Sequence, residues 1–276
     1  MKKLLIVTDL DATFIDDDYQ YADAVEALLV LSAHGFPLVF NSSKTFSELK
    51  ALADQLKLHT PVIAENGGII AVPDSFSLPE ACIDSEHYRW ERRDNYQTLI
   101  TGLSREHILQ HAHAARTKLG YRFSGFDDWS AEEVATRTGL SQAEASMAKQ
   151  RYVSEPIIWQ DTEQRWNDFH AAMQSQGIRA LRGGRFIHLM GQADKADGLQ
   201  AVRELYSQKE PETQWITVAL GDSPNDQSML EAADIPVVIP HAEGPRLQIG
   251  TGNVIYAKYP ASKGWNDAIL GILSSF

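Results

Sequence analysis

Lys3-Leu4-Leu5-Ile6-Val7-Thr8-Asp9-Leu10-Asp11-Ala12-Thr13 runs from an unbroken apolar stretch straight into two carboxylates spaced one residue apart. The stretch from Lys3 to Thr8 lacks the polar–apolar alternation of a half-exposed strand, so it reads as a strand covered on both faces, as in a parallel sheet. Although Met1-Lys2-Lys3 could open a secretory leader, Asp9 and Asp11 interrupt the apolar segment far too early. Ligands of open parallel sheets collect at the carboxyl ends of the strands, where Asp9 and Asp11 fall. An acidic pair alone is also a common way to begin a loop, so its meaning depends on what else the chain brings there.

Apolar residues at helical spacing from Ala22 to Leu31, a stop at Gly35 and a second buried strand over Pro37–Asn41 complete one βαβ unit. Thr45 and Glu48 have the spacing of a capping box, and Pro61–Ala64 supplies the next strand. Asn66-Gly67-Gly68 then turns the chain into Ile69–Val72, a predicted hairpin. After Pro73 the clean alternation of strand and helix stops. Residues 85–192 hold capping boxes at Ser130/Glu133 and Ser141/Glu144, with strand-like pieces at Val153–Trp159 and Arg185–Met190. From Ala193 the first style resumes, with a helix to Tyr206 and the strand Trp215–Leu220. A helix over Asp226–Ala233 and short strands at Pro236–Ile239 and Val254–Tyr256 follow. The expected architecture is α/β, with a discontinuous core (1–84 and 193–276) interrupted by an α+β module (85–192).

Against 37 Asp and Glu the chain sets only 25 Lys and Arg, a formal charge of −12 over 276 residues. Cations this few and this scattered argue against nucleic acid and against an anionic membrane surface. At 43% apolar and 22% charged the composition is that of a globular protein, and no segment approaches the roughly 20 apolar residues that span a bilayer. Cys82 is the single cysteine, which excludes an intrachain disulfide and makes a reducing cytoplasm the expected compartment. The expected partner is a small molecule.

Four polar clusters sit at element boundaries. Besides Asp9-x-Asp11-x-Thr13, Ser42-Ser43-Lys44 joins a strand to the helix capped at Thr45, where free N–H groups, hydroxyls and an ammonium make an oxyanion site. Lys195 falls in the first turn of a helix, where the helix dipole disfavours a cation, so its placement calls for an anionic partner. Gly221-Asp222-Ser223-Pro224-Asn225-Asp226 follows an apolar strand and offers hard oxygen donors. Each cluster alone has a plain reading as a turn or a helix cap. Their conjunction at the boundaries of one sheet points to a shared active site.

Taken together, these four clusters resemble the four motifs of the haloacid dehalogenase superfamily of phosphohydrolases, with a large cap inserted after the second motif. Further strings are similar to the mannosyl-3-phosphoglycerate phosphatase family over nearly the whole chain. They are Asn41-Ser42-Ser43-Lys44-Thr45, Glu65-Asn66-Gly67-Gly68, Arg151-Tyr152-x-Ser154-Glu155, Gly184-Arg185-Phe186 with His188, and Asp194-Lys195. The resemblance implies a Rossmann-like haloacid dehalogenase core with a cap that sets substrate specificity. It implies that Asp9 attacks phosphorus to form an aspartyl phosphate, and that Asp11 protonates the leaving alkoxide and then deprotonates water. It also implies Mg²⁺ held by Asp9, the main-chain carbonyl of Asp11 and Asp222, with Asp226 in support. Lys195 and Ser42 would hold phosphoryl oxygens, with Ser43, Lys44, Asn66, Glu155, Arg185, His188 and Asn225 as further substrate contacts. The implied product is mannosylglycerate, a compatible solute. Glucosyl-3-phosphoglycerate, sucrose phosphate and other sugar phosphates are the nearest alternative substrates. Ala12 departs from the superfamily pattern, which has Gly there, and a local backbone adjustment is expected.

Arg185 is well suited to grip a glyceryl carboxylate through two hydrogen bonds. A phosphosugar mutase would use the same nucleophile, and a phosphoacceptor signalling domain assembles similar groups; the cap and the pair Asp222/Asp226 argue against the latter. His107, His111 and His113 lack a carboxylate at ligand spacing and are expected to form a solvated helix face. Asp16-Asp17-Asp18 lacks the Gly and terminal Glu of a calcium loop and is expected to begin a helix. Of the six tryptophans, Trp159 is best placed to stack on a sugar, with core packing the stronger expectation.

Overall fold

Lys2–Thr8 forms β1, and its two faces bury equally well because Leu4 and Ile6 point one way and Leu5 and Val7 the other, all four fully buried. The computed structural model describes residues 1–276 apart from 17, 79–89, 183–184 and 251–252, so Asp17, Cys82 and Gly184 lie outside the described residues. Strand β1 pairs in parallel with β2 (Leu38–Asn41) on one side and with β11 (Gln214–Gly221) on the other. The large sheet has the order β13-β12-β11-β1-β2-β3-β4-β6-β5, with β3 at Val62–Ala64, β4 at Ile69–Pro73, β12 at Ile235–Val238 and β13 at Ile255–Tyr256. It is parallel from β13 to β3 and antiparallel beyond, where the expected hairpin β3–β4 is found.

Helices cover both faces. On one, α1 (Val25–His34), α2 (Phe46–Gln55) and α9 (Ala261–Ser275) bury Leu31, Leu49 and Trp265 against Leu4, Ile6 and Phe40. On the other, α7 (Lys195–Lys209) and α8 (Gln227–Ala232) bury Leu199, Val202 and Met229 against Leu5, Val7 and Val39. Each such side chain contributes roughly 1.5–3 kcal/mol of transfer free energy, so the strand ends between these layers are held rigidly. The capping boxes read from the sequence at Thr45/Glu48, Ser130/Glu133 and Ser141/Glu144 are all formed.

The insertion is a smaller body with its own antiparallel sheet, in the order β7-β8-β10-β9. Its strands are β7 (Phe123–Gly125), β8 (Ser154–Trp159), β9 (Arg179–Arg182) and β10 (Ile187–Met190). Helices α3 (Arg105–Leu119) and α6 (Glu163–Gln174) pack on one face around Phe123, Ile157, Phe169 and Leu189. The short helices α4 (Ala131–Thr138) and α5 (Gln142–Ala148) enclose Phe126 and Trp129.

Two expectations change, and the stronger expectation for Trp159, core packing, holds. The cap was expected from residue 85, yet β5 (Trp90–Arg93) and β6 (Tyr96–Ile100) extend the large sheet beyond β4, so the separate sheet and its helices follow Ile100. At the acidic run after Phe14, Asp16 Oδ1 accepts the N–H groups of Asp18 and Gln20, and helical structure starts only at Ala22. Trp159 stacks on Phe123 and meets Trp166 edge-on, within the cap's own core.

Candidate active site

Strands β1 and β11 run side by side and in register, from Lys2 beside Gln214 to Thr8 beside Leu220, so the loops leaving them emerge together. This adjacency brings Asp9 against Asp222 and Asp226, residues more than 200 positions later, and one oxygen from each of the three buried carboxylates lies within 4.8 Å of the others. Gly221 makes the approach possible, since a Cβ there would stand 2.5 Å from that of Asp226. Lys195 is completely buried in the same cluster, its Nζ 2.6 Å from both Asp9 Oδ1 and Asp226 Oδ1. Its helix-start position, unfavourable for a cation on its own, is thereby explained. Burial works against the Lys195 ammonium, but Asp226 and Asp9 outweigh it and hold the lysine charged. Asp9 is pushed well above the usual carboxylate range by burial, then by Asp226, with Lys195 opposing. Asp222 is also raised by burial and Asp226, against hydrogen bonds from His241 and Thr13.

Three carboxylates against one ammonium leave an uncompensated negative charge in a buried place, which fits a hard divalent cation. Asp226 has little left to offer it directly. Its Oδ1 accepts from Lys195 and its Oδ2 accepts the N–H groups of Asp222 and Ser223. Asp222 Oδ1 accepts from Thr13, and Oδ2 lies 2.7 Å from His241 Nε2. Among the described residues no protein group donates to Asp9 Oδ2, unlike the other oxygens of the set.

The loop after β2 and the loop after β3 knit together into the second wall. Asn66 N donates to Ser42 O and Glu65 N to Lys44 O, both at 2.9 Å. Ser42 is wholly buried, with its Oγ accepting the Lys44 N–H, while Ser43 and Lys44 face the cleft. Lys44 Nζ lies 3.0 Å from Asp11 Oδ1 and over the Tyr19 ring. Burial disfavours its charge, but Asp11 and Glu48 prevail and raise its pKa. Asn66 is buried with neither amide atom hydrogen-bonded, so the cleft wall carries an unsatisfied polar group. Gly67, at φ +91, lies so close to the Asp194 carbonyl that a Cβ would sit 1.8 Å from its oxygen, which seats this loop on the start of α7. Ala12 adopts φ 56, the left-handed backbone adjustment expected at this position.

The cap closes the third side. Pro156, His188 and Leu181 are paired across β8, β10 and β9 and present one face to a cleft of about 490 Å³, within the range of small-ligand sites. Arg151, Arg185, Phe126, Phe186, Asn225, His241 and Arg246 also line it. His188 is pushed down to about 3 by burial, then by Arg151 and Lys195, and stays neutral. Arg185 is exposed and donates through Nη1 to the Thr138 carbonyl.

Glu155 does not join the expected substrate contacts. Strand alternation sends it to the face opposite Pro156, where its carboxylate accepts from Arg105 Nε and from the Asp127 N–H. The rings of His107 and His111 meet at 4.4 Å, tilted by 49°, and among the described residues the one cluster arranged to hold a metal is that of Asp9, Asp222 and Asp226. Sequence reasoning missed His241, although it follows the end of β12, where polar residues at strand ends are the general signal. Arg151, which the sequence offers only as part of the string Arg151–Glu155, also lines the cleft.

A family model for haloacid dehalogenase-like hydrolases matches residues 6–249, a span that includes every group of the carboxylate cluster. The chain belongs to the haloacid dehalogenase-like hydrolases. Within them it is 33% identical to the glucosyl-3-phosphoglycerate/mannosyl-3-phosphoglycerate phosphatase of Persephonella marina, over 98% of this chain and 97% of that one. The protein of the same description from Methanococcoides burtonii is 35% identical, again over 98% and 97%. Among solved structures, a Thermoplasma acidophilum protein superposes with a TM-score of 0.66 at 18% identity over 99% of both chains. A haloacid dehalogenase-like hydrolase from Bacteroides thetaiotaomicron gives 0.65 at 17% over the full length of both. These two likenesses concern the fold.

Proposed function

We propose that this hydrolase is a Mg²⁺-dependent phosphomonoesterase acting on a glycosyl-3-phosphoglycerate, mannosyl or glucosyl, to give the glycosylglycerate and phosphate. The observation that carries the reading is the Asp9 carboxylate, fixed at Oδ1 by buried Lys195 and free at Oδ2, on the floor of a capped cleft. One oxygen is held while the other keeps a lone pair for attack. Asp9 Oδ2 forms a bond to phosphorus as the ester P–O bond breaks, and Asp11 gives its proton to the departing alkoxide. Water then attacks the aspartyl phosphate, Asp11 takes the water's proton, and Asp9 and inorganic phosphate are released. Asp11 is free to give and then take up these protons once Lys44 turns from it to the incoming phosphate. Lys195 holds Asp9 and balances the charge developing on the phosphoryl oxygens, together with the N–H groups of the loop at Ser42–Lys44. Asp9, Asp222 and the Asp11 carbonyl would hold Mg²⁺, with Asp226 bracing Asp222. When bound, the ion would offset the negative charge of the phosphoryl group as Asp9 approaches it.

The glycosyl-3-phosphoglycerate substrate rests on the two relatives described as glucosyl-3-phosphoglycerate/mannosyl-3-phosphoglycerate phosphatases and on a cleft rich in cations and neutral donors, including Lys44, Arg151, Arg185, Asn66 and His188. Mannose and glucose differ in the orientation of one hydroxyl, and both esters are expected to turn over. The cytoplasm remains the proposed location. The test is phosphate release over mannosyl- and glucosyl-3-phosphoglycerate, sucrose phosphate and hexose phosphates. Higher kcat/KM on a hexose phosphate would overturn the substrate, and turnover by Asp9→Asn above a few per cent of wild type would overturn the nucleophile.

A further inference from the structure

Arg151 stands where the chain returns from α5 to β8, and its guanidinium is divided into two unlike edges. Nη1 is spent on the protein, donating to the Ser43 carbonyl at 3.2 Å and to Ser154 Oγ at 2.8 Å. Nε is buried without a partner, and Nη2 beside it has no protein acceptor among the described residues. Nε–H and Nη2–H form the side edge of the planar guanidinium, two parallel donors matched to the two oxygens of a carboxylate. The other cleft cations are committed or exposed. Lys44 is paired with Asp11, Lys195 with Asp9 and Asp226, and Arg246 lies 3.9 Å from Glu243. Arg185 is open to solvent, which screens its charge.

Arg151 is also held from behind. Glu65 is completely buried, makes no ion pair among the described residues, and its carboxylate accepts the N–H groups of Tyr152 and Val153 and, at 2.6 Å, the Ser154 hydroxyl. Ser154 Oγ in turn accepts from Arg151 Nη1. A chain of hydrogen bonds therefore runs from the loop after β3 to the guanidinium. The same guanidinium touches Ser43, one residue from both Ser42 and Lys44. A cation at this distance from the phosphate loop suits a second anion joined to the phosphoester by a short chain, as in a three-carbon glycerate. An anion at the far end of a sugar would not reach it.

We propose that Arg151, in preference to Arg185, takes the glycerate carboxylate of the substrate, and that Glu65 is a positioning residue that orients Arg151 through Ser154. This rests on the glycosyl-phosphoglycerate reading above. The experiment compares glycosyl-3-phosphoglycerate with an analogue in which hydroxymethyl replaces the carboxylate, using wild type, Arg151→Gln, Arg151→Lys, Glu65→Gln and Arg185→Gln. The quantity read is the ratio of kcat/KM for the two esters. In Arg151→Gln this preference should fall about 10- to 100-fold, the range for hydrogen bonds to a charged group. Arg151→Lys, which keeps the charge and loses the fork, should fall by less, and Glu65→Gln should raise KM for the carboxylate ester more than it lowers kcat. In Arg185→Gln the ratio should stay within threefold of wild type. A wild-type-like ratio in Arg151→Lys and Arg151→Gln, or in the first alone if the second does not fold, overturns the assignment and leaves the substrate reading standing. Loss of the ratio in Arg185→Gln overturns it likewise. A wild-type enzyme with no preference for the carboxylate ester overturns both.

Discussion

Replacing His188 by Asn tests whether the cap face is as dry and as positively charged as its surroundings imply. In the folded protein His188 is held down to about 3 by burial, with Arg151 and Lys195 adding to the effect, while the unfolded chain titrates near 6.5. A folded pKa below the unfolded one makes a stability contribution that is present above pH 6.5 and is lost as pH falls toward 3. In that window the unfolded state binds a proton that the folded state refuses. At pH 5, 1.5 units below the unfolded value, each unit is worth about 1.36 kcal/mol, so wild type should have lost about 2 kcal/mol to this one group. His188→Asn carries no such proton, and its stability should decline less between pH 7 and pH 5 by that amount, whatever its offset at pH 7. For a chain of this size about 2 kcal/mol corresponds to roughly 4–8 °C in Tm. Urea unfolding of both proteins at pH 7, 6 and 5 measures the difference of slopes. Parallel pH profiles, within about 0.5 kcal/mol, would refute the buried neutral histidine.

Asp11→Asn should lower turnover of alkyl phosphates by at least about 100-fold and spare nitrophenyl phosphate, whose leaving group needs no proton; equal losses on both would remove the acid role. Chelation should abolish activity and added Mg²⁺ restore it. Calorimetry on the protein without substrate should show Mg²⁺ binding that vanishes in Asp222→Ala, and undiminished binding there would refute the metal assignment. Ala12→Gly should leave the protein as stable or up to about 1.5 kcal/mol more stable. It removes a left-handed penalty of about 1–2 kcal/mol and adds about 0.5–1 kcal/mol of chain entropy. A denaturation midpoint clearly below wild type would contradict that strain.

The core was legible because β1 announces double-sided burial within one uninterrupted run and because acidic and basic residues stand at consecutive strand ends. Lys195 is the clearest case: its cost at a helix start demanded an anion, and the sheet supplies two. The cap boundary was misread because Trp90-Glu91-Arg92-Arg93 carries charges on an exposed edge strand, the usual protection of an edge, which hides strand character from an apolar pattern. Glu155 was misplaced because a motif match ignores which face of a strand a residue occupies, and the register of β8 with β10 decides that. Arg151 and Glu65 were unreadable as a pair, since only the fold sets residues so far apart in sequence in one chain of hydrogen bonds through Ser154.

The position of β1 between β2 and β11 governs how the protein is made. On a ribosome β1 finds β2 early, but its other edge, a row of unpaired N–H and C=O groups flanked by Leu4, Leu5, Ile6 and Val7, has no partner until Gln214–Gly221 has been synthesised. At about 5–20 residues per second the nascent chain carries that open apolar edge for about 10–40 s. During this interval the cap, whose strands and helices are contiguous, is free to form first. Holdase chaperones are therefore expected to engage the first strand of the nascent chain, and enzymatic competence to arise abruptly, when one late strand seals the sheet and delivers Asp222 and Asp226 to Asp9.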